Sequence, residues 1–369
     1  MHKLTFFPLG NADCCRIDLE NGKNILFDYA NCRDPKDESD LRIPLDAALR
    51  GDLEAAKRSH FDVVAFTHAD DDHIHGFSDF FFLEHAEMYQ DKYRIKIGVL
   101  WVPAAVVIEK GLKDEGKVLQ AEARHRLKNG KGIRVFSRPD RLKDWLESEG
   151  INPADRKNLL TDAGQVAPEF SMSSDKVEFF VHSPFAVRQE DKLIDRNEAA
   201  LVMQATFGTG GKDRRLILGS DCENEAWVDI VKITRYHRRD ERLAWDVFNI
   251  AHHCSYTALS AEKGKNETDP DAEIKWMFAK GGARGILVAN CKPIPTDDKD
   301  DLPPHRQAAK FYAKAAAAVS GEFKVTMEHP SRSRPEPLEI EIDDPGATLK
   351  KATAGGGISI VSRPAARAG

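Results

Sequence analysis

"FTHADDDHIHGF" (residues 66–77) sets three histidines and three aspartates within eight positions, directly behind the apolar run "FDVVAF" (61–66). That run is short and rich in β-branched and aromatic residues, so it reads as a buried strand, and the polar cluster begins where the strand empties into a loop. Strand exits in layered α/β folds are where sites are built. A lone histidine is more often structural than a ligand, and an acidic run is usually a solvated loop. Here the density of both residue types at a strand exit favours a metal site. Imidazole and carboxylate both offer lone pairs at neutral pH and suit Zn²⁺, Mn²⁺ or Fe²⁺.

Three other strand-like runs end in the same kind of side chain. "RRLILGSDCE" (214–223) delivers Asp221, "DVFNIAHHCS" (246–255) delivers His252 and His253, and "KNILFDYA" (23–30) delivers Asp28. Singly, each has a capping or turn role as its alternative. Together, four such exits can converge on one cleft and supply donors for two metal ions without thiolates. A pair of ions can hold a hydroxide between them, polarise an ester or phosphoryl oxygen and stabilise a leaving group.

The remaining chain frames these exits. The start ("KLTFFPLG", "CCRIDL", "KNILFDYA") reads as a meander broken by Gly10, Asn11 and the "ENGK" turn, followed by a helix in "PLDAALRGDLEAAKRS" (44–59). From about 78 to 175 the pattern changes to helices ("FSDFFFLEHAEMYQDKY", "VLQAEARHRLKNGK", "RLKDWLESEG") mixed with strands ("IKIGVLWV", "GIRVFSR"), which reads as an elaboration around the core. Strands resume in "VEFFVHSPF", "AALVMQATFG" and "RRLILGSDCE", and later in "RGILVANC", "GEFKVTMEH", "LEIEI" and "GISIVS". Helices are expected in "NEAWVDIVKITRYH" and "RQAAKFYAKAAAAVS". Strands towards both ends of the chain with helices between them predict an α/β fold with a two-sheet core covered by helices. The expected organisation is one domain over 1–345, then a terminal strand and flexible tail over 346–369.

The 369 residues carry a net charge of −6, with 41% hydrophobic and 31% charged residues, which fits a folded globular chain and gives no global footprint for nucleic acid. Binding of a polyanion would have to be local, on a basic lip such as "RYHRR" (235–239) or "RHRLKNGK" (124–131). No apolar run approaches the length of a membrane span, and "MHKLTFFPLGNADCC" lacks a long apolar core before a cleavage site, so a cytoplasmic protein without a membrane partner is expected. Six scattered cysteines without a C-x-x-C pair read as free thiols and not as ligands.

"THADDDH" (67–73) resembles the H-x-H-x-D-H signature of the metallo-β-lactamase fold, with Asp70 in place of the second histidine. That variant is similar to the hydrolase domain of ComEC-type competence proteins and its soluble relatives. Further likenesses run in order: "GNADCC" to G-x-G-D, "RNEAALVM" to N-x-x-S-L-V, "LILGSDCE" to L-L-x-G-D, "IAHHCS" to x-x-H-H-G-S, with "ANCKPIPTDDKDDLPPH" and "GGGISI" similar to the closing segments. The resemblance spans most of the chain outside 78–175. Cys254 and His75 stand where glycine is usual and Ala200 where serine is usual. What it implies is an αββα sandwich of two mixed sheets flanked by helices, with a helical and mixed insertion.

For the site, the resemblance implies His68 and Asp70 on one ion, Asp72 and His73 on the other, Asp221 bridging and His253 completing the second. The third-motif ligand is His182, the better donor, or Asn197. Asp72 and His252 are the expected catalytic residues, His252 by donating to a phosphoryl oxygen. Asp13 and Asp28 would orient imidazoles or brace the loop, and His75 and His305 would touch substrate. The cofactor would be two divalent ions, Zn²⁺ or Mn²⁺, with the extra carboxylate of Asp70 shifting preference towards Mn²⁺. The expected activity is phosphodiester hydrolysis, with DNA or RNA as a substrate. Its alternatives are a carboxylic ester, lactone or thioester hydrolase, and a catalytically silent metal-bound scaffold.

Overall fold

A computed structural model describes residues 1–189 and 195–351. The expected "GISIVS" strand and the C-terminal tail lie outside the described residues. Two mixed sheets pack face to face with helices on both outer sides, the αββα sandwich expected from the sequence.

The first sheet runs, in spatial order, Gly346–Leu349, Leu338–Asp343, His2–Phe6, Cys15–Asp18, Asn24–Phe27, His60–Ala65, Ile95–Pro103, Ile133–Phe136 and Leu160–Thr161, with Phe81–Phe82 beside Ile95–Pro103. Its first half is antiparallel, as short turns such as Leu19–Gly22 allow, and it becomes parallel from Asn24–Phe27 onwards. Parallel pairing needs crossovers, which the helices Leu45–Ala55 and Asp114–Asn129 supply. The second sheet runs Glu322–Val325, Gly281–Ala289, Trp245–Asn249, Asp213–Leu218, Val202–Gly208 and Val177–Ser183, parallel over its first four strands and antiparallel over the last three.

Alternation along each strand assigns the faces. Leu4, Phe6, Ile17, Phe27, Val63 and Trp101 of the first sheet meet Phe179, Met203, Leu216, Val247 and Val288 of the second in one buried layer. Leu26, Val64 and Leu100 point outwards beneath the helices, where Leu45, Leu49 and Leu53 form a single stripe. Each of those leucines contributes roughly 1.5–3 kcal/mol by burial. Trp227, Ile230 and Val231 of helix Asn224–Tyr236, with Ile274 and Tyr312, cover the other outer face.

The stretch 78–175 is more than an elaboration. Its strands Ile95–Pro103 and Ile133–Phe136 continue the first sheet, and Trp101 sits in the inter-sheet layer. "FSDFFFLEHAEMYQDKY" is not one helix: it divides into helix Phe77–Phe80, strand Phe81–Phe82 and a single turn at Glu87–Tyr89. Phe80 and Phe81 are both fully buried, and the helical period loses to their packing against Tyr29.

Candidate metal centre

Parallel strands Asn24–Phe27, His60–Ala65, Asp213–Leu218 and Trp245–Asn249 all end at the same edge of the sandwich, which brings Asp28, the 67–75 loop, Asp221 and His252–His253 together. Backbone bonds fix the meeting: Asp28 N donates to Ala65 O at 2.8 Å, Tyr29 N to His73 O at 3.0 Å, Asp13 N to Asp72 O at 3.0 Å and His252 N to Ser220 O at 2.9 Å. At Gly219 a Cβ would lie 2.8 Å from Asn249 O, so only glycine lets the Asp221 and His253 strands leave their sheet side by side.

Asp72, His73, Asp221 and His253 form the core of the site, each offering a donor atom within 4.8 Å of all the others. His73 Nε2 is 3.1 Å from Asp221 Oδ1, and His253 Nε2 is 3.2 Å from Asp72 Oδ2 and 3.6 Å from Asp221 Oδ2. Bonds of 2.0–2.1 Å in a tetrahedron place donors about 3.3 Å apart, so this spacing fits a divalent ion. The tautomers fit too. His73 Nδ1 donates to Asp28 Oδ2 at 2.8 Å and His253 Nδ1 donates to Asn290 O at 2.8 Å, which leaves both Nε2 lone pairs for the centre.

Asp28 also accepts from Thr67 N at 2.7 Å and Thr67 Oγ1 at 2.8 Å, and Thr67 Oγ1 lies 3.1 Å from His68 Nδ1. One buried carboxylate therefore orients His73 directly and His68 through Thr67. His68 Nε2 is buried with no hydrogen-bond partner, which is costly for an imidazole nitrogen unless a cation or substrate group meets it.

The electrostatics describe a pocket built around positive charge. Burial alone would lower the His253 pKa, but Asp221 and the Asp72 hydrogen bond carry it up to about 9; His73 is raised well above its ordinary value against the same burial penalty by Asp221 and Asp28. Asp72 is held at about 2 despite burial, by its His253 bond and the charge of His73, and Asp221 is likewise held low by His253 and His73. Carboxylates that hold protons on their neighbouring imidazoles can exchange them for a metal ion, so these four residues are a candidate metal site. Asp13, buried beside them, is raised to about 6 by desolvation. It lies 3.9 Å from His73 Nδ1 and braces the loop through its backbone.

The other sequence candidates divide. Asp70 is at the rim, its Oδ2 3.6 Å from His68 Nε2 and its Oδ1 paired with Arg196. His252 is one-fifth exposed beside the centre, its Nδ1 3.0 Å from Thr257 Oγ1 and 3.3 Å from Glu223 Oε1. His75 is exposed and pairs with Asp71 at 3.0 Å.

His182 is a correction. Val177, Phe179 and Val181 face the inter-sheet layer, so the period of two turns His182 to the outer side. There its Nε2 donates to Arg242 O at 2.9 Å, burial drives its pKa down to about 4, and it lines a separate cavity of about 370 Å³ with Phe180, Ile230 and Ile233. The alternative, Asn197, bonds Glu223. His305 is also corrected as a substrate contact, because its Nδ1 accepts from Tyr256 N and its Nε2 donates to Asp301 O. Glu223, Thr67, Asn290, Arg196 and Glu109 were not singled out from sequence. Thr67 lay inside the quoted cluster, and Arg196, Glu223 and Asn290 lay inside the quoted stretches "RNEAALVM", "LILGSDCE" and "ANCKPIPTDDKDDLPPH" without being assigned a role.

The cysteines stay outside the donor set. Cys254 is buried in a run of left-handed residues, His252 (φ 52°), His253 (φ 50°) and Cys254 (φ 63°), and burial raises its thiol pKa. Cys254→Gly is expected to leave bound metal per chain unchanged, since glycine adopts this backbone freely. Loss of metal in that variant, measured by elemental analysis, would mean that a thiolate coordinates.

No protein-family model matches the sequence, and no curated protein matches it. Among solved structures the chain is similar to unliganded yeast PDE1, with 9% identity, TM-score 0.43 and coverage of 88% of this chain and 96% of that one. It is also similar to a diphosphatase of the PhnP family (11% identity, TM-score 0.34, 95% and 100% covered) and to a metallo-β-lactamase from Elizabethkingia meningoseptica (14% identity, TM-score 0.31, 74% and 84% covered).

Proposed function

We propose that the chain is a metal-dependent hydrolase whose substrate is a phosphodiester. The observation that carries this reading is the convergence of Asp72, His73, Asp221 and His253 with both imidazoles locked in the tautomer that presents Nε2. Both Nε2 atoms face buried carboxylates, Asp221 and Asp72, and a metal ion can take the place of the protons held between them. An ion held there would acidify a water molecule and polarise a phosphoryl oxygen.

The chain's own groups provide the rest. Asp72 and Asp221 supply the anionic donors, and Asp28 fixes the imidazole of His73. His252 sits beside the centre with Nδ1 engaged by Thr257 and Glu223, which leaves Nε2 as the ring atom that would meet a phosphoryl oxygen. Carboxylate and imidazole donors without thiolate suit Mn²⁺ as well as Zn²⁺, and hard ions favour phosphoryl over thioester oxygen.

Long nucleic acid has less support than a short phosphodiester. In "RHRLKNGK", Arg126 is buried against Glu122 and Lys128 pairs with Glu149. "RYHRR" begins in the last two residues of helix Asn224–Tyr236, about 18 Å from the end that adjoins Asp221 at 1.5 Å per residue. Both observations weigh against a basic lip at the centre.

The test is a substrate panel with metal-loaded protein: a nitrophenyl phosphodiester, single-stranded and duplex DNA, RNA, a nitrophenyl ester and a lactone. Phosphodiester cleavage is expected, with kcat lowered on the order of 10²-fold in His252→Ala at unchanged metal content. Hydrolysis of the carboxylic ester or lactone with no phosphodiester cleaved would replace this reading by its alternative.

A further inference from the structure

The four donors around Asp221 make one complete ion site. The adjoining half, His68 with Asp70, does not. His68 Nε2 is 3.6 Å from Asp70 Oδ2 and 4.0 Å from Asp221 Oδ2, but His68 and Asp70 belong to no group of three or more converging donors among the described residues. The residues expected to supply a third donor are engaged elsewhere, His182 with Arg242 O and Asn197 with Glu223.

A cation does meet Asp70, and the chain itself supplies it. Arg196 Nη1 pairs with Asp70 Oδ1, while Arg196 Nε lies 3.0 Å from each oxygen of Glu109 and Nη2 lies 2.6 Å from Glu109 Oε1. The guanidinium is thus pinned between two carboxylates, one on the metal loop and one directly after helix Ala104–Ile108. Bidentate, charge-assisted bonds of this kind hold an arginine in one orientation.

We propose that Arg196 is the resident cation of the His68–Asp70 half, so that the centre holds one tightly bound divalent ion and a guanidinium in place of a second ion. Three of the five guanidinium N–H groups serve Glu109 and Asp70, which leaves two for an anionic oxygen of the substrate. His68 Nε2 lies between Asp221 of the ion site and Asp70 of the arginine site and is the acceptor left for a water molecule held beside a substrate bound between the two charges. A phosphodiester, whose two non-bridging oxygens share a negative charge, suits a clamp with an ion on one side and a planar fork on the other. The inference rests on the metal-dependent reading and narrows it to one ion.

The full chain, stripped with chelator and reloaded with Mn²⁺, is tested by elemental analysis after dialysis and by electron paramagnetic resonance. Wild type is expected to retain one ion per chain with the six-line spectrum of isolated Mn²⁺. Asp70→Asn is expected to retain the same single ion, because Asp70 serves the arginine. Arg196→Ala frees Asp70 and is expected to take up a second ion with at least ten-fold higher affinity than wild type, and Arg196→Ala/Asp70→Asn returns to one. Circular dichroism of each variant checks folding, and Asp70→Asn decides the matter alone if Arg196→Ala does not fold. Two ions in wild type, or loss of one ion in Asp70→Asn, would overturn the proposal while leaving the metal reading intact. Wild type without bound ion would overturn the metal reading itself.

Discussion

Asp221→Ala is expected to abolish retention of the metal ion and to lower hydrolysis by at least about 10³-fold, the scale of effect seen when a catalytic centre loses its principal charge stabilisation. The reason lies in its contacts. Asp221 reaches His73 Nε2 at 3.1 Å with one oxygen and His253 Nε2 at 3.6 Å with the other, so it is the carboxylate shared by both imidazoles. It is also buried, so its charge is little screened. Without it, His73 and His253 lose the neighbour that most raises their proton affinity, and the remaining carboxylate, Asp72, contacts only His253.

His73→Ala is the companion variant, since its imidazole lies between Asp221 and the Asp28 anchor. If elemental analysis gave unchanged stoichiometry in both variants, the assignment of this site would fail. Retained metal with lost activity in Asp221→Ala would instead place the ion among other donors.

How much of this centre can be read from the chain follows from where each residue sits. Asp28, the 68–73 cluster, Asp221 and His253 are visible because each ends an apolar run that can only be a buried strand. Parallel strands in one sandwich must empty towards a common edge. His182 defeats that logic because being near a strand exit does not settle which face a side chain takes. The alternation of Val177, Phe179 and Val181 into the inter-sheet layer was the signal that could have excluded it.

The Arg196–Glu109 pair spans 87 residues of sequence, and no local pattern couples them. An arginine beside a motif asparagine and a glutamate after an apolar helix each look like ordinary surface charges until the fold brings them to Asp70. In the same way, the alternation of helical and strand-like runs over 78–175 conveys a change of texture. It does not reveal that two of those strands extend the first sheet, because sheet membership is decided by pairing partners far away in the chain.

That middle region supplies the second large effect, on stability. Glu122→Ala is expected to destabilise the protein by about 3–5 kcal/mol, the usual consequence of removing one partner from a buried ion pair. Glu122 is fully buried in helix Asp114–Asn129 and accepts from Arg126 Nε at 2.7 Å, from the backbone N–H of Glu84 and of His85 at 3.0 Å each, and from His85 Nδ1 at 2.9 Å. Its removal leaves the Arg126 guanidinium buried, with Gly132 O at 2.9 Å as its closest remaining acceptor and only the half-exposed Glu84, Oε1 3.6 Å from Nη2, as a carboxylate partner, and strips two backbone donors in the segment that follows Phe81–Phe82.

Urea unfolding followed by tryptophan fluorescence should show a lower midpoint at unchanged slope. Replacing both partners by apolar residues of similar length, Glu122→Leu with Arg126→Met, should recover most of the loss, because the penalty belongs to the unpaired charge and not to the absence of the pair. Metal content under native conditions should stay at the wild-type value in both, since no donor of the centre touches Glu122. A Glu122→Ala midpoint equal to wild type would mean that water reaches Arg126 and that the helix is not sealed against its sheet. A double variant no more stable than Glu122→Ala would mean that the hydrogen bonds to the 84–85 backbone, and not the buried charge, hold this segment in place.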